Sequence, residues 1–430
     1  MLYCSLIFCS FSISCELPEV SMSCFFCSVL LSASLIFNSN LSFFPVFYNH
    51  SFLQENIKKT DSIPGDTNAE DIFGLSAPSV LLMEASTGTI LYEKDSHALL
   101  RPASITKIMT LILIFDAISS GGIAADDTVT VSEYAASMGG SQVFLEQGET
   151  QTVDTLIKCI SVASANDACV AMAEYISGTE AAFVENMNRR AKELGMNDTT
   201  FVNCCGLDAD GHLTSAYDVA LMSRELTMKY PQIHEYSTIW TDTITHITKR
   251  GTQDFGLTNT NRLIRQYPYA TGLKTGSTSL AKYCVSATAK KDDMELIAVV
   301  MAAPDPKARF TDASSLLNYG FSKYQIFVDE NTDILSSIPV KKGTSNEVPL
   351  SYRSSFQYMV TNETELSGIT KEIELPDFVN APVLSGDVLG RAVYKLGNKT
   401  LGTVDILCAQ NIAAAAYHDC LMELISCYLP

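Results

Sequence analysis

The segment that most restricts the fold is Ser104–Ile118, SITKIMTLILIFDAI, in which almost every helical face is apolar. Such a helix has no side to show to water, so it belongs at the centre of a domain with other elements packed all round it. Pro102, just ahead, suits a helix start. The segment also opens with Ser104 and Lys107, three residues apart and therefore on one helical face. Burial in apolar surroundings disfavours a charged amine. A neutral lysine beside a hydroxyl can take its proton and turn the oxygen into a nucleophile. Alone the pair is weak: Ser-x-x-Lys arises by chance, and Ser279–Lys282 repeats the spacing without an apolar helix.

The rest of the chain supplies a setting for that helix. SVLLMEASTGTILYEKD, from Ser79, has two short apolar runs about a Ser-Thr-Gly-Thr turn, the pattern of a hairpin. Helical stretches follow at 153–162 and 167–176, and strand-like runs at 283–289 and 296–301. Strands at both ends with helices between predict an α+β domain over 78–325. Short alternating runs broken by Gly-containing turns predict a small all-β sandwich over 331–406. The last stretch, 409–430, gathers Tyr417, Cys420, Leu421, Leu424, Ile425 and Tyr428 on one face of an amphipathic helix, too short to span a bilayer but able to lie on one. Asp419, Glu423 and the lack of Lys or Arg there weaken attraction to anionic lipid.

At the other end, 1–60 reads as a leader and 61–77 as a polar linker. CFFCSVLLSASLIF at 24–37 is like a secretory apolar core, although no Lys or Arg precedes Lys58. Five of the thirteen cysteines lie in that leader. The others form neither a Cys-x-x-Cys pair nor a metal-spaced set with histidine, and read as small buried side chains. No metal or cofactor is predicted. A net charge of −19 argues against nucleic acid as a partner, since phosphate binding needs clustered cations.

Two further motifs follow Ser104 and Lys107 in order. Ser164-Ala165-Asn166 falls between two helices, where a loop can turn both polar side chains into a cleft; its ordinary alternative is a helix cap. Lys274-Thr275-Gly276 leads into a strand-like run. Its lysine brings a second cation toward Lys107 and can attract a carboxylate, and Gly276 permits close backbone approach; the ordinary alternative is a turn with a solvated lysine. Each alternative is reasonable singly, but the ordered combination S-x-x-K, S-x-N, K-T-G is the one found in β-lactamases and penicillin-binding proteins.

With Phe201-Val-Asn-Cys-Cys-Gly-Leu-Asp208 and His212, Leu257-Thr-Asn-Thr-Asn-Arg-Leu263, and Arg309-Phe310 before Leu316-Leu-Asn-Tyr-Gly-Phe321, the chain resembles the low-molecular-weight D-alanyl-D-alanine carboxypeptidases of peptidase family S11 over roughly 78–428. The resemblance implies a transpeptidase-like domain, an antiparallel sheet with a helical subdomain, followed by the small β domain. It implies Ser104 as nucleophile and Lys107 as base, with Ser164 and Asn166 relaying the proton and orienting the substrate. It also implies an oxyanion hole from the N–H groups of Ser104 and Ser277, and a carboxylate grip from Lys274, Thr275, Gly276 and Arg309. Peptidoglycan stem peptides would be substrates, β-lactams inhibitors, and the cell envelope the location. His212 is taken as structural. Ala281-Lys282 departs from the family's Ala-Gly.

Three other readings compete. A class A β-lactamase needs a Glu-x-x-Leu-Asn loop, and none lies between Asn166 and Lys274. A non-catalytic muropeptide binder fits poorly with a complete set of catalytic residues. A Ser-His-Asp hydrolase built on His212 and a nearby aspartate lacks a Gly-x-Ser-x-Gly nucleophile elbow.

Overall fold

The computed structural model describes residues 73–419 together with 421 and 425. The expected leader and most of the expected linker lie outside the described residues.

The scaffold is a five-stranded antiparallel sheet in the order β2-β1-β5-β4-β3. Its strands are β1 (Ser79–Glu84), β2 (Ile90–Lys94), β3 (Ala270–Thr278), β4 (Lys282–Lys291) and β5 (Met294–Ala303). The N-terminal hairpin joins the later strands through β1 and β5, from Ser79 opposite Met301 to Glu84 opposite Leu296. Leu81, Met83, Ile297 and Val299 face the helical layer, while Val80, Leu82, Leu296 and Ala298 face a C-terminal helix. Both faces are covered, so β1 is buried at every position and reads as an unbroken apolar run.

Five helices carry the argument: α1 (Lys107–Ser119), α2 (Val153–Lys158), α3 (Asn166–Ser177), α4 (Ala216–Lys229) and α5 (Ala308–Lys323). The apolar segment does run through the domain centre, with Ile108, Met109, Leu111, Ile112, Ile114 and Phe115 buried. At roughly 2 kcal/mol each, those six side chains outweigh the several kcal/mol that burying Lys107 costs. Two helical expectations change in detail. Ser104 lies in a 3-10 turn, Ala103–Thr106, ahead of α1. The helix expected over 153–162 stops being α-helical at Lys158 and widens into a π turn at Cys159–Ala163.

Asp116, near the end of α1, is tied to Arg190 at 3.0 Å and Lys229 at 2.7 Å, and Tyr230 donates to it as well. Burial pushes its carboxyl up, but Lys229, Tyr230 and Arg190 together hold it below the usual carboxylate range.

Strands continue directly from α5. Tyr324–Asp329 pairs with Phe356–Thr361, and a four-stranded sheet is ordered Leu350–Tyr352, Lys399–Cys408, Val388–Leu396, Ile369–Glu374. Tyr394 stacks on Phe356 in its core, ring centroids 3.8 Å apart. Strand pairing therefore begins before the expected bound of 331. It also passes 406, because Val383 bridges Ile412 and Gly343 bridges Ala414. Those bridges prevent a helix from starting at 409. Of the expected C-terminal helix, 409–416 is not helical, Tyr417–Asp419, Leu421 and Ile425 are helical, and 420, 422–424 and 426–430 lie outside the described residues. Among the described residues no helix is long and apolar enough to cross a membrane.

Candidate active site

The turn that holds Ser104 is shaped by backbone contacts. Ala103 has φ +47°. Gly206 and Gly276 both press against this turn: a Cβ on Gly206 would lie 1.8 Å from the Ala103 carbonyl oxygen, and one on Gly276 would lie 2.9 Å from the Ser104 nitrogen. The glycine of Lys-Thr-Gly was expected to admit substrate backbone. What it admits here is the turn that carries Ser104.

Lys107 is fully buried, and its amine meets three oxygens: Ser104 Oγ at 3.0 Å, Asn166 Oδ1 at 2.7 Å and the Cys205 carbonyl at 2.7 Å. The carbonyl and the amide oxygen can only accept, so two N–H bonds are fixed and the third tetrahedral direction is left for the serine. Asn166 is itself held by donating from Nδ2 to the Gly139 carbonyl at 2.7 Å.

Ser164 closes the π turn in the left-handed region, φ +61° and ψ 34°. A non-glycine residue there costs about 1–3 kcal/mol, a price met where the surroundings hold it. Lys274 on β3 donates to Ser164 Oγ at 2.8 Å and to the Thr275 carbonyl at 3.1 Å. Burial, then the charges of Lys107 and Arg309, push this amine well below the usual lysine range. Thr275 Oγ1 lies 2.7 Å from Thr260 Oγ1. β3 is the edge strand, so part of its backbone is unpaired by neighbouring strands. Ser277 lies exposed on it, opposite Tyr283 of β4.

Arg309 reaches from α5 to β3 and its neighbour β4, donating from one terminal nitrogen to the carbonyls of Gly276 at 3.1 Å and Cys284 at 3.3 Å. Its Nε is buried with no partner. Direct contacts thus join Ser104 with Lys107 and Asn166, and Ser164 with Lys274 and Thr275, while Gly276, next to Thr275, lies against the Ser104 turn and is bonded to Arg309, so the two sets form one network. The second Ser-x-x-Lys is not part of it. Ser279 falls in the β3–β4 connection, and Lys282 is exposed at φ +59°, the conformation that accounts for glycine at this place in the family pattern.

His212 accepts from the Val202 backbone N–H through Nδ1 at 3.0 Å, so its proton sits on Nε2, 2.8 Å from Thr106 Oγ1. Burial, then Arg101, lowers its pKa to about 4. A neutral histidine bonded to a backbone and a threonine, with no carboxylate on either nitrogen, is structural and leaves no Ser-His-Asp arrangement.

Sequence reasoning missed the Cys205 carbonyl, because a main-chain acceptor leaves no mark on residue type. It also missed Gly139 and the contact of Gly206, although Gly206 stands in a motif singled out for other reasons. Six cysteines among the described residues are free and buried. Glu180, Cys204 and Cys205 bring potential ligand atoms within 4.8 Å of one another. The Glu180 carboxylate already accepts from the Cys204 N–H and the Tyr134 hydroxyl, and no fourth ligand joins them.

A tightly held serine, two buried lysines and an edge strand on this α+β scaffold fit a serine hydrolase. Residues 66–305 match the D-alanyl-D-alanine carboxypeptidase family, peptidase S11, and 321–414 match the C-terminal domain of penicillin-binding protein 5. The chain belongs to that S11 family. It is 39% identical to the D-alanyl-D-alanine carboxypeptidase DacF of Bacillus subtilis over 90% of this chain and 95% of the relative. Penicillin-binding protein 5 of Haemophilus influenzae superposes with a TM-score of 0.66 at 29% identity, covering 79% of this chain and 98% of that one. For penicillin-binding protein 6B of Escherichia coli the values are 0.62, 30%, 80% and 98%.

Proposed function

We propose that this chain removes the terminal D-alanine from peptidoglycan stem peptides, with Ser104 as nucleophile and Lys107 as base. The observation that carries the reading is the 3.0 Å contact between Lys107 Nζ and Ser104 Oγ, with the amine's other two directions fixed by Asn166 and Cys205. Ser104 Oγ attacks the carbonyl between the two D-alanines and its proton passes to Lys107. The oxyanion forms against the N–H groups of Ser104 and Ser277, donors that typically contribute a few kcal/mol. Lys274 donates to Ser164 Oγ, and Ser164 relays the proton: its hydrogen passes to the departing amine as the one that Lys107 took from Ser104 replaces it, which returns Lys107 to the neutral form. Asn166 orients the substrate amide, and Lys274, Thr275, Gly276 and Arg309 hold the terminal carboxylate. Water then hydrolyses the ester. A β-lactam acylates the same oxygen.

Family membership supports an extracytoplasmic place of action, reached through the leader at 1–60 and the linker at 61–77. Tyr417, Leu421 and Ile425, four residues apart and exposed, support a peripheral contact of the C-terminal segment with a membrane surface. The activity is tested with a pentapeptide ending in D-alanyl-D-alanine. Wild type releases D-alanine and forms a slowly hydrolysed adduct with penicillin; Ser104→Ala does neither while unfolding as wild type does. Equal D-alanine release by the variant, or rapid penicillin turnover by wild type, overturns the assignment.

A further inference from the structure

Lys282 opens β4 at φ +59° with its side chain exposed, in a conformation that favours glycine. A residue held there against its own preference directs attention to what its side chain does. Lys282 lies opposite Thr278 of β3, at the end of a pairing that is regular from Gly272 opposite Thr288 onward. Side chains alternate along a strand and directly opposed residues share a face. Lys274, Gly276, Thr278 and Lys282 therefore stand on one face, the one on which Gly276 meets the Ser104 turn and Lys274 meets Ser164. Thr278 Oγ1 donates to Asp208 Oδ1 at 2.9 Å. An exposed carboxylate and an exposed ammonium group thus flank one threonine, yet they form no ion pair with each other. Among the described residues neither has another partner of opposite charge within ion-pair distance. We propose that Lys282 and Asp208 form a specificity site for the acyl half of the substrate, which takes a side chain ending in a carboxylate and an ammonium group together, as in a diamino dicarboxylic residue.

The order of groups along β3 sets which half of the substrate reaches this place. In the proposed mechanism, on which this inference rests, the leaving carboxylate lies at Lys274–Gly276 and the scissile carbonyl at Ser277. The acyl half then continues past Ser277 toward Thr278 and the connection to β4. At about 3.3 Å per residue, the residue before the acyl D-alanine falls beside that connection. A chain laid along the free edge of β3 is one strand spacing from β3 and two, roughly 10 Å, from β4. A short side chain does not cover that distance, whereas a long one crossing Thr278 does. The two charges then select its end. A lone ammonium group is attracted by Asp208 and repelled by Lys282, and a lone carboxylate meets the reverse, so the two effects oppose each other. A group that carries both charges on one carbon fits between them and is attracted by both. The covalent step is unchanged: the ester still forms at Ser104 and D-alanine still leaves.

The test uses four peptides that all end in D-alanyl-D-alanine. The residue before that pair is norleucine, lysine, a diamino dicarboxylic acid, or the same acid with its distal carboxylate amidated. Wild-type kcat/KM for the free acid exceeds that for its amide and for the lysine peptide about fivefold, chiefly through KM, the scale of an exposed charge pair. Added salt narrows the difference. Lys282→Gln keeps a side chain in the same backbone conformation but no charge; it brings the acid and the amide together and leaves the norleucine peptide unchanged. Lys282→Arg retains the preference. Asp208→Asn keeps an acceptor for Thr278 and lowers the rate on the free acid relative to norleucine about fivefold. A wild-type ratio of acid to amide within about 1.5-fold overturns the inference. So does a ratio that Lys282→Gln leaves in place, or a parallel fall on all four peptides in that variant. Failure of wild type to release D-alanine from any of the four overturns the carboxypeptidase reading itself, and is read directly in the same assay.

Discussion

Replacing Lys274 by methionine should weaken catalysis and strengthen the fold together. The side chain is 1% exposed and its amine makes two bonds, to Ser164 Oγ and the Thr275 carbonyl. Losing the charge-assisted bond to Ser164 costs about 1.5–3 kcal/mol, or roughly 10- to 150-fold in the rate of acylation. Against this, methionine has similar volume and no charge to bury, and such exchanges are often stabilising by about 1–4 kcal/mol. The pH dependence fixes the sign. Because the amine titrates below the usual lysine range when folded, the unfolded chain binds this proton more readily than the folded one. Wild-type stability therefore rises with pH between the folded pKa and about 10.4, with a limiting slope of about 1.4 kcal/mol per pH unit. The variant lacks that slope, so its advantage is greatest at low pH and closes as pH rises. Urea unfolding at several pH values and single-turnover labelling with a fluorescent penicillin measure both halves. An unchanged urea midpoint and pH slope, with wild-type labelling, would refute the reasoning.

Three other perturbations probe the scaffold. Gly276→Ala puts a methyl 2.8 Å from the Pro102 carbonyl and 2.9 Å from the Ser104 nitrogen, so the nucleophile's turn must move away from β3; acylation should fall about 100-fold, read from penicillin labelling of correctly folded protein. Arg190→Ala strips the cation from Asp116 and the buried Glu225 and should cost about 3–5 kcal/mol in urea unfolding. Since the Asp116 carboxyl is held low, the stability it contributes is present above about pH 3.9 and lost as pH falls through its folded value; acid unfolding followed by circular dichroism should therefore begin at higher pH in the variant. Lys282→Gly relieves the exposed φ of +59° and should raise the urea midpoint by the equivalent of about 0.5–1 kcal/mol, a fall counting against the strain argument.

What could be read from the sequence was what side-chain pattern specifies. The all-apolar segment gave a central helix because no other position satisfies every face of it, and the two runs about Ser86–Thr89 gave the hairpin of β1 and β2. The three motifs named side chains that the fold brings together, Ser104 with Lys107 and Asn166, and Lys274 with Ser164. Less visible were features that depend on main chain. Ala103 and Ser164 adopt left-handed conformations with residues that do not favour them, so tertiary contacts must impose what local preference opposes. The widening at Cys159–Ala163 likewise leaves no compositional sign. The bridges at Ile412 and Ala414 overrode a helical pattern that holds, among the described residues, only at Tyr417–Asp419, Leu421 and Ile425.

The main-chain features of the cleft have a common organiser in the loop after Phe201. Asn203 Oδ1 accepts from the N–H groups of Cys205 at 3.2 Å, Gly206 at 2.7 Å and Leu207 at 3.0 Å, folding the loop about one side chain. Cys205 turns its carbonyl onto Lys107, and Gly206 lies against Ala103. One asparagine therefore sets both the orientation of the Lys107 amine and one wall of the Ser104 turn, while Gly276 sets the other wall from β3. The contact between Ser104 and Lys107 is then only partly a consequence of their three-residue spacing. The spacing brings the two groups within reach. The loop and the edge strand, about a hundred and more residues further along the chain, decide that the amine points at the hydroxyl, and this is why Ser279 and Lys282, with the same spacing on a surface connection, form no such pair.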